Sequence, residues 1–332
     1  MINHWFSDQK ETDIVDNRGF FEPQCKDSHS HHELENYDLI FMTSQSEISK
    51  EARKNIQKLY PHYHHIKVLD AGMLLNTDYR FIQQPVAPCL EKGKISFILG
   101  GSFELAQSLA IKNKLKVTVV GNSIIPIDET LHTHSYIAYQ RHLCEYKTLK
   151  FAEEFCPDSL SLGKIKSHPH LLEPILRDTE VLYVQLNVLR SSEIPGSTQS
   201  WPSGLNTEEL CQILKYAGNS LQLKSVIIDF LGVSLSENQV ESKLIAELYW
   251  YMLEGMKMRQ TDHPVYNTNI SEYIVNVADF DTELIFVRSN LSHRWWLRLD
   301  ENETFPFISC AQEEYQMSIQ NEVPERLLRH II

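Results

Sequence analysis

Several features that commonly indicate a function are missing from this chain of 332 residues. It has no apolar run that approaches the roughly 18 residues needed to cross a bilayer, and the residues that follow Met1 turn polar at once. Basic residues are the minority, with 31 Lys+Arg against 44 Asp+Glu and a net charge of −13. This charge repels phosphate and no basic stripe offsets it, which argues against nucleic-acid binding. We expect a soluble cytoplasmic protein without a membrane segment or a secretion signal.

Standard cofactor and catalytic motifs are missing as well. The chain contains no HExxH, no Cys/His finger, no GxGxxG, no GxxxxGK[ST] and no GxSxG. Its cysteines never form a CxxC pair, so we predict reduced thiols that mostly pack as small hydrophobic side chains. These cysteines are Cys25, Cys89, Cys144, Cys156, Cys211 and Cys310.

What is present is an alternation of short apolar runs and helical segments after an irregular start. Residues 1–35 lack apolar periodicity and predict an N-terminal arm, and no composition break divides 36–332, which we interpret as a single domain. Runs with little polar alternation indicate strands buried on both faces, as in a parallel sheet covered by helices. We therefore predict a three-layer α/β/α fold with a mostly parallel sheet. The predicted strands lie near 38–42, 66–69, 95–99, 116–120, 181–186 and 225–230.

Two helices can be predicted in detail. Asn206 and Glu209 form a capping box ahead of an apolar stripe that ends at Gly218. A longer helix is expected over about 238–259, with Trp250 on a neighbouring face. Further on, the runs 284–288 and 294–299 predict a hairpin at a sheet edge or an oligomer contact.

Histidine clusters raise the question of a metal site. Their spacings permit chelation without specifying it, and their polar, loop-like surroundings favour solvated loop histidines. The clusters are His62, His64 and His65, then His132 and His134, then His168 and His170. Separately, Gly100-Gly101 follows a strand and precedes a helix, which is typical either of a ligand-binding strand end or of a tight turn.

Several segments in a consistent order resemble the ureohydrolase superfamily, which contains arginase, agmatinase and formimidoylglutamase. The likeness is strongest to a divergent formimidoylglutamase-like branch and covers about 95–330. It rests on Gly163-Lys164-Ile165-Lys166, Glu173-Pro174-Ile175-Leu176-Arg177-Asp178, Arg190-Ser191-Ser192-Glu193-Ile194-Pro195-Gly196, Gly204-Leu205-Asn206-Thr207-Glu208-Glu209-Leu210, Tyr136-Ile137-Ala138-Tyr139-Gln140, Asp262-His263-Pro264-Val265, Arg294-Trp295-Trp296 and Pro324-Glu325-Arg326.

This resemblance implies an arginase/deacetylase-like fold and a catalytic centre with two Mn²⁺ ions, which activate a bridging water. The family holds these ions through the motifs GGxH, DAHxD and SxDxDxxD at strand ends. Here the residues at the implied ligand positions are Phe103 in the first motif, Asn122, Ile124 and Pro126 in the second, and Gln185 and Asn187 in the third.

None of these residues has the side chain that the family uses. Two divalent ions need carboxylates and imidazoles, whereas amides are neutral and Phe, Ile and Pro side chains offer no donor. Without metal, clustered buried carboxylates would repel one another, so neutral replacements relieve that repulsion. We therefore expect a remnant pocket without metal and without a cofactor. Asp128 and Glu129 fit a polar loop and Asp229 a strand end or cap, rather than a rebuilt metal site.

The favoured hypothesis is a catalytically degenerate ureohydrolase-fold protein that acts as a binding or assembly subunit. An alternative is an amidine hydrolase with a displaced or absent metal site, using Asp128, His132 or His134. A third hypothesis is a sensor whose amide-lined pocket binds an amino acid or a guanidine. The resemblance also implies a homo-oligomer, for which Trp250, Trp295 and Trp296 are candidate contacts.

Overall fold

The computed structural model describes residues 33–60, 62, 65–125, 134–277, 283–299 and 306–331. In this part of the chain, eight parallel strands form one central sheet. They are β1 (Leu39–Thr43), β2 (Val68–Met73), β3 (Ile95–Leu99), β4 (Val117–Val120), β5 (His134–Tyr139), β6 (Leu160–Ser161), β7 (Val181–Gln185) and β8 (Ser225–Asp229). Their order across the sheet is β2-β1-β3-β8-β7-β4-β5-β6.

Helices connect the strands and continue beyond them to the end of the described chain. They are α1 (Glu47–Lys58), α2 (Tyr79–Glu91), α3 (Phe103–Asn113), α4 (Tyr146–Phe155), α5 (Leu162–Ser167), α6 (Leu172–Arg177), α7 (Thr207–Gly218), α8 (Val240–Lys257), α9 (Gln312–Ile319) and α10 (Glu325–Ile331). None of the described helices is long and apolar enough to cross a membrane.

The helices cover both faces of the sheet. The side chains of β1, β3 and β4 are buried along their whole length, as expected for strands between two helical layers. One apolar cluster joins the sheet to α1, α7 and α8, and a second joins it to α2, α3 and α4. The prediction of a three-layer α/β/α fold is confirmed, and the central sheet is parallel throughout.

The two helices that were predicted in detail are present. Helix α7 begins after Asn206, whose side chain accepts a hydrogen bond from Glu209 N, while the Glu209 carboxylate accepts one from Asn206 N. This reciprocal capping satisfies two amides that the helix cannot pair internally. Helix α8 follows Gln239, which has a left-handed backbone with φ of 52°. Both helices pack on the same face of the sheet.

A second, antiparallel sheet lies beyond α8. It consists of β9 (Ile270–Val275), β10 (Leu284–Ser289), β11 (Trp295–Arg298) and β12 (Phe307–Cys310), in the order β12-β11-β10-β9. The predicted hairpin is therefore confirmed as β10 and β11, but it lies at the centre of a sheet of its own rather than at the edge of the main one. Strands β9 and β12 had no clear signal in the sequence.

The tryptophans of this hairpin are interior residues. Trp296 is fully buried and Trp295 is 6% exposed. The guanidinium of Arg177, at the end of α6, lies 4.5 Å from the centre of the Trp296 ring, and its Nη2 donates to Trp295 O over 3.1 Å. Because these contacts attach the second sheet to the main domain, Trp295 and Trp296 are not surface oligomer contacts.

A buried ionic cluster fastens the last helix, α10, to the main sheet. The Asp158 carboxylate lies 3.2 Å from Lys116 Nζ, 3.3 Å from Arg326 Nε and 3.1 Å from His330 Nε2. Burial alone would raise the pKa of Asp158, but Lys116, Arg326 and His330 hold that pKa well below its usual range. The ionised Asp158 carboxylate therefore links Arg326 and His330 of α10 to Lys116, the residue that precedes β4.

The sequence-based prediction was wrong about His134. It was expected in a solvated loop, yet it begins β5, is 5% exposed and stacks on Phe151 with ring centres 5.8 Å apart. By contrast, His65 and His168 are exposed as expected. Residues 1–32 lie outside the described part of the chain, as does His64, so the limits of the arm stay a prediction, as does the single domain over 36–332. At the start of the described chain, Leu34 is buried in the core.

Candidate functional site

The candidate site lies at the carboxyl ends of β3, β8, β7 and β4, which are neighbours in the sheet. In a parallel sheet these ends share one edge, and ligands of open α/β folds bind there. The edge carries Phe103 after β3, Asp229 at the end of β8, Gln185 at the end of β7 and Asn122 after β4. Residues from the three predicted motifs thus lie at or just after the ends of neighbouring strands.

The turn from β3 to α3 depends on Gly100. Its φ of 81° is in the left-handed region, and a Cβ atom there would lie 2.3 Å from Ser44 Oγ and 2.9 Å from the Phe230 ring. Only glycine fits such a position without strain. The tight turn places Phe103 in the first turn of α3, where the half-buried ring packs against Tyr183 with ring centres 5.4 Å apart and an interplanar angle of 63°.

A chain of hydrogen bonds runs from β7 to β8. The Tyr183 hydroxyl donates to the Asp229 carboxylate, whose other oxygen accepts from Leu231 N over 2.8 Å. The side chain of Gln185, two residues along on the same face of β7, lies beside the Tyr183 hydroxyl and lowers the pKa of that tyrosine. These contacts tie the ends of two adjacent strands together through side chains.

The electrostatics of this chain follow from its burial. Burial raises the pKa of Tyr183 well above its usual range, and the adjacent Asp229 carboxylate raises it further. Burial also raises the pKa of Asp229, while the hydrogen bonds from Tyr183 and from Leu231 N partly offset that rise. The arrangement keeps the tyrosine protonated as a donor to Asp229, so it is not set up as a base or a nucleophile.

The two asparagines form the other half of the site. Asn122 is 6% exposed, and its Nδ2 donates to the backbone oxygen of Asn187 over 3.2 Å. A Cβ atom on Gly121 would lie 2.7 Å from Gln185 Oε1, so glycine leaves room for that amide. Within the described chain, the buried oxygens Gln185 Oε1 and Asn187 Oδ1 have no hydrogen-bond partner.

Of the remaining predicted positions, Ile124 is 6% exposed and belongs to the apolar core. Pro126 lies outside the described residues. The described positions therefore offer an aromatic ring, an alkyl group and three neutral amides. Mn²⁺ requires anionic oxygens and imidazoles to balance its charge, so this set of donors does not fit a pair of Mn²⁺ ions.

Of the other candidate metal ligands, Asp128, Glu129 and His132 lie outside the described residues. His134 lies at the amino end of β5, opposite the candidate site, with its Nε2 at 3.2 Å from Cys156 Sγ. In the part of the chain that the structure describes, no three His, Cys, Asp or Glu side chains form a metal-binding group.

The described cysteines are free thiols, as predicted. Burial raises the pKa values of Cys89, Cys156 and Cys211 to about 12, and that of Cys310 well above its usual range. A thiol reacts through its thiolate, and these side chains are therefore inert packing groups.

The segments that carry the family resemblance hold the loop between β7 and α7. The Glu193 carboxylate accepts from Arg190 Nη2 over 2.9 Å and from Thr207 Oγ1 over 2.7 Å. The fully buried Glu241 carboxylate accepts from Gly196 N over 2.7 Å. These residues hold the loop in place but are not part of the candidate site. Their role is therefore structural.

Sequence reasoning missed the central position of Tyr183 and treated Asp229 only as a strand end or cap. The interpretation of Asp229 as a strand end or cap was correct, because its carboxylate caps the following turn. The available signal was the spacing of Tyr183 and Gln185, which places them on one face of β7. The approach of Asp229 to Tyr183 had no local signal, since the two residues are 46 positions apart.

Comparison with solved structures identifies the fold. A formiminoglutamase from Trypanosoma cruzi, solved with Mn²⁺, aligns over 68% of this chain and 95% of its own with a TM-score of 0.59 and 14% identity. The formimidoylglutamase of Bacillus subtilis aligns over 76% and 95% with a TM-score of 0.57 and 15% identity. The proclavaminate amidino hydrolase of Streptomyces clavuligerus aligns over 72% and 95%, with a TM-score of 0.55 and 13% identity.

The chain thus has the fold of the arginase/ureohydrolase superfamily, as its motifs had indicated. The sequence itself matches no model of a known protein family and no curated protein. At such low identity the likeness concerns the backbone architecture, and the chemistry of the site must be judged from the residues that this chain carries.

Proposed function

We propose that this protein is a catalytically degenerate ureohydrolase-fold protein that has lost the dinuclear manganese centre and serves as a binding or assembly subunit. The observation that carries the proposal is that Phe103, Asn122 and Gln185 lie at the strand ends where the resemblance implies metal ligands, and that Phe103 and Asn122 contact neighbouring protein groups. Cytoplasmic residence and a homo-oligomeric state belong to the same proposal.

The replacements are consistent with one another. Buried carboxylates that share a site without a cation repel each other and are costly to ionise. Among the described residues at the centre, the Asp229 carboxylate accepts hydrogen bonds from Tyr183 and Leu231 N. The buried Glu241 and the Glu193 carboxylate meanwhile hold the loop that follows β7. A stable fold with an altered centre supports a role in binding rather than in metal-dependent hydrolysis.

Metal analysis tests the proposal directly. The protein is purified without chelator, incubated with Mn²⁺, dialysed and analysed by mass spectrometry, with the T. cruzi formiminoglutamase treated in parallel as a positive control. We expect no tightly bound manganese. A Phe103→His variant should behave in the same way, because Gln185 and Asn187 still supply no charge. Two tightly bound manganese ions per chain would refute the proposal.

Binding of a small ligand by the strand-end amides is part of the same proposal. The buried acceptors Gln185 Oε1 and Asn187 Oδ1 have no partner among the described residues, and a ligand with several N–H donors would satisfy them. We propose an amino acid or guanidine as the ligand class. A thermal-shift screen with such compounds should raise the unfolding temperature of the wild type, with a smaller effect in Gln185→Leu. No response to any of them would count against ligand binding.

A second candidate function is the hydrolysis of linear amidines through a displaced or absent metal site. It is favoured by the fold shared with formimidoylglutamase and an amidino hydrolase. His134 does not support it, because this residue lies at the opposite edge of the sheet. Assays with formimidoylglutamate and arginine, with and without Mn²⁺, separate the two functions. Turnover that is abolished by Asp128→Ala would favour the enzyme.

A further inference from the structure

The two edges of the C-terminal antiparallel sheet differ. At the β12 edge, Ser309 N donates to Asp178 Oδ2 over 3.1 Å and Ser309 O accepts from Arg326 Nη2 over 2.5 Å. Side chains of the main domain and of α10 thus satisfy the outward backbone groups of Ser309. Another strand cannot pair there without displacing them.

The other edge, β9, has backbone groups that point away from the sheet. Asn290 N donates to Asn269 O over 3.0 Å, and β9 pairs with β10 in continuous antiparallel register. Hydrogen-bonded pairs alternate in such a ladder, so Ser271, Tyr273 and Val275 bond to β10. The N–H and C=O groups of the alternate residues face outward, and no described residue bonds to them. These residues are Ile270, Glu272 and Ile274.

Strand β9 also lacks the features that usually protect a sheet edge. Exposed edges are commonly blocked by Pro, Lys, a bulge or a very short strand. The sequence of β9 is ISEYIV, six residues without Pro or Lys, and its register with β10 shows no bulge. Its one charge, Glu272, is neutralised by an ion pair with Arg298. Ile274 is 62% exposed at this edge.

We propose that β9 pairs antiparallel with β9 of a second copy of this chain about a two-fold axis at Glu272, which joins the two C-terminal sheets into one. The outward residues are arranged symmetrically, with an isoleucine on each side of Glu272. This axis therefore places Ile274 of one protomer opposite Ile270 of its partner and covers both. The outward N–H and C=O groups of all three residues then find partners.

The charged residues at the β9 edge are compatible with this pairing of the two β9 strands. Like charges placed directly opposite each other across two strands are destabilising, but each Glu272 keeps the guanidinium of its own Arg298 beside it. The axis thus brings together two neutralised ion pairs. The inference deepens the assembly role in the proposed function, yet it does not depend on the absence of metal. A monomeric protein without manganese would refute the interface and the homo-oligomeric state, but not the loss of the metal centre.

Oligomeric state is the first test. Light scattering of the wild type across a range of concentrations should show a dimer that dissociates on dilution. Ile274→Lys should raise the dimer dissociation constant by about tenfold or more. Ile319→Lys is the matched control, because Ile319 is a comparably exposed isoleucine on α9, 53% exposed, and it should leave the constant unchanged. A wild-type monomer at the highest attainable concentration overturns the proposal, as does a dimer that Ile274→Lys does not weaken.

Cross-linking tests the register even if the lysine variant folds poorly. Directly opposed residues of a hydrogen-bonded antiparallel pair have Cα atoms about 5.5 Å apart, within the range that a disulfide spans. Glu272→Cys should therefore form a covalent dimer on mild oxidation. Ser271→Cys, one residue from the axis, should remain at the wild-type level. A dimeric protein in which Glu272→Cys does not cross-link, or Ser271→Cys cross-links equally well, refutes this pairing.

Discussion

The Phe103 ring packs edge-on against the Tyr183 ring, with 5.4 Å between their centres. This contact occupies the strand-end position at which the resemblance to ureohydrolases predicts a metal-binding histidine. Tyr183 in turn donates to Asp229 on the neighbouring strand. The centre of the edge is thus held together by an aromatic contact and a hydrogen bond, and both can be removed by single substitutions.

Phe103→Ala should destabilise the protein. The half-buried ring loses its aromatic contact with Tyr183 and leaves a partial cavity, at a cost of about 1–3 kcal/mol in the free energy of unfolding. Urea denaturation measures this cost. Phe103→Leu, which keeps most of the apolar volume, should lose less, and an unchanged stability in Phe103→Ala would show that the ring is not a structural contact.

Tyr183→Phe should make stability depend more steeply on pH. The hydroxyl lowers the pKa of Asp229, so its removal lets burial raise that pKa further. A carboxyl group whose pKa is raised in the folded state contributes stability that is fully present below its unfolded pKa. That stability is lost as the pH rises through the folded value. We expect a loss of about 1–3 kcal/mol at neutral pH and a smaller loss in acid, measured by urea denaturation at several pH values.

The Asp229→Asn background is the control for this effect. An amide carries no charge. In the Asp229→Asn background, Tyr183→Phe should therefore lower the free energy of unfolding by less, and the size of this loss should no longer vary with pH. Equal, pH-independent costs in both backgrounds would contradict the assigned hydrogen bond.

Asp158→Asn should loosen the C-terminal helix. The substitution takes the Asp158 carboxylate away from the buried Lys116, whereas Arg326 keeps the Glu314 carboxylate at 3.7 Å. Breaking a buried ion pair in this way costs about 3–5 kcal/mol. Because the pKa of Asp158 is lowered in the folded state, its stabilisation is present above the unfolded value and is lost as the pH falls through the folded one. The wild type should therefore lose stability in acid more steeply than Asp158→Asn. Hydrogen exchange over α10 locates the change.

Asn206→Ala should cost about 1 kcal/mol, because the first turn of α7 loses a side-chain acceptor for Glu209 N. Asn206→Ser retains a capping oxygen and should stay close to the wild type. Thermal or urea unfolding of the two variants checks the difference. Equal losses in both would indicate that the cap does not contribute.

Local patterns in the sequence were sufficient for the elements that have local causes. The capping box at Asn206 and Glu209 predicted the start of α7, and uninterrupted apolar runs predicted strands buried on both faces. His134 shows the limit of such reasoning. Its polar neighbours indicate a loop, but its burial comes from stacking on Phe151, a contact that no local pattern encodes.

The sequence by itself determined the fold class and which side chains stand at the motif positions, because hydrophobic periodicity and the identity of side chains are properties of the chain alone. The tertiary structure decided what those side chains contact. Tyr183 and Asp229 meet only because β7 and β8 are adjacent in the sheet. It also decided which edge of the second sheet is open, since Asp178 and Arg326 reach Ser309 on β12 through long-range packing. Such pairings depend on strand order, and strand order is set by the packing of the whole domain.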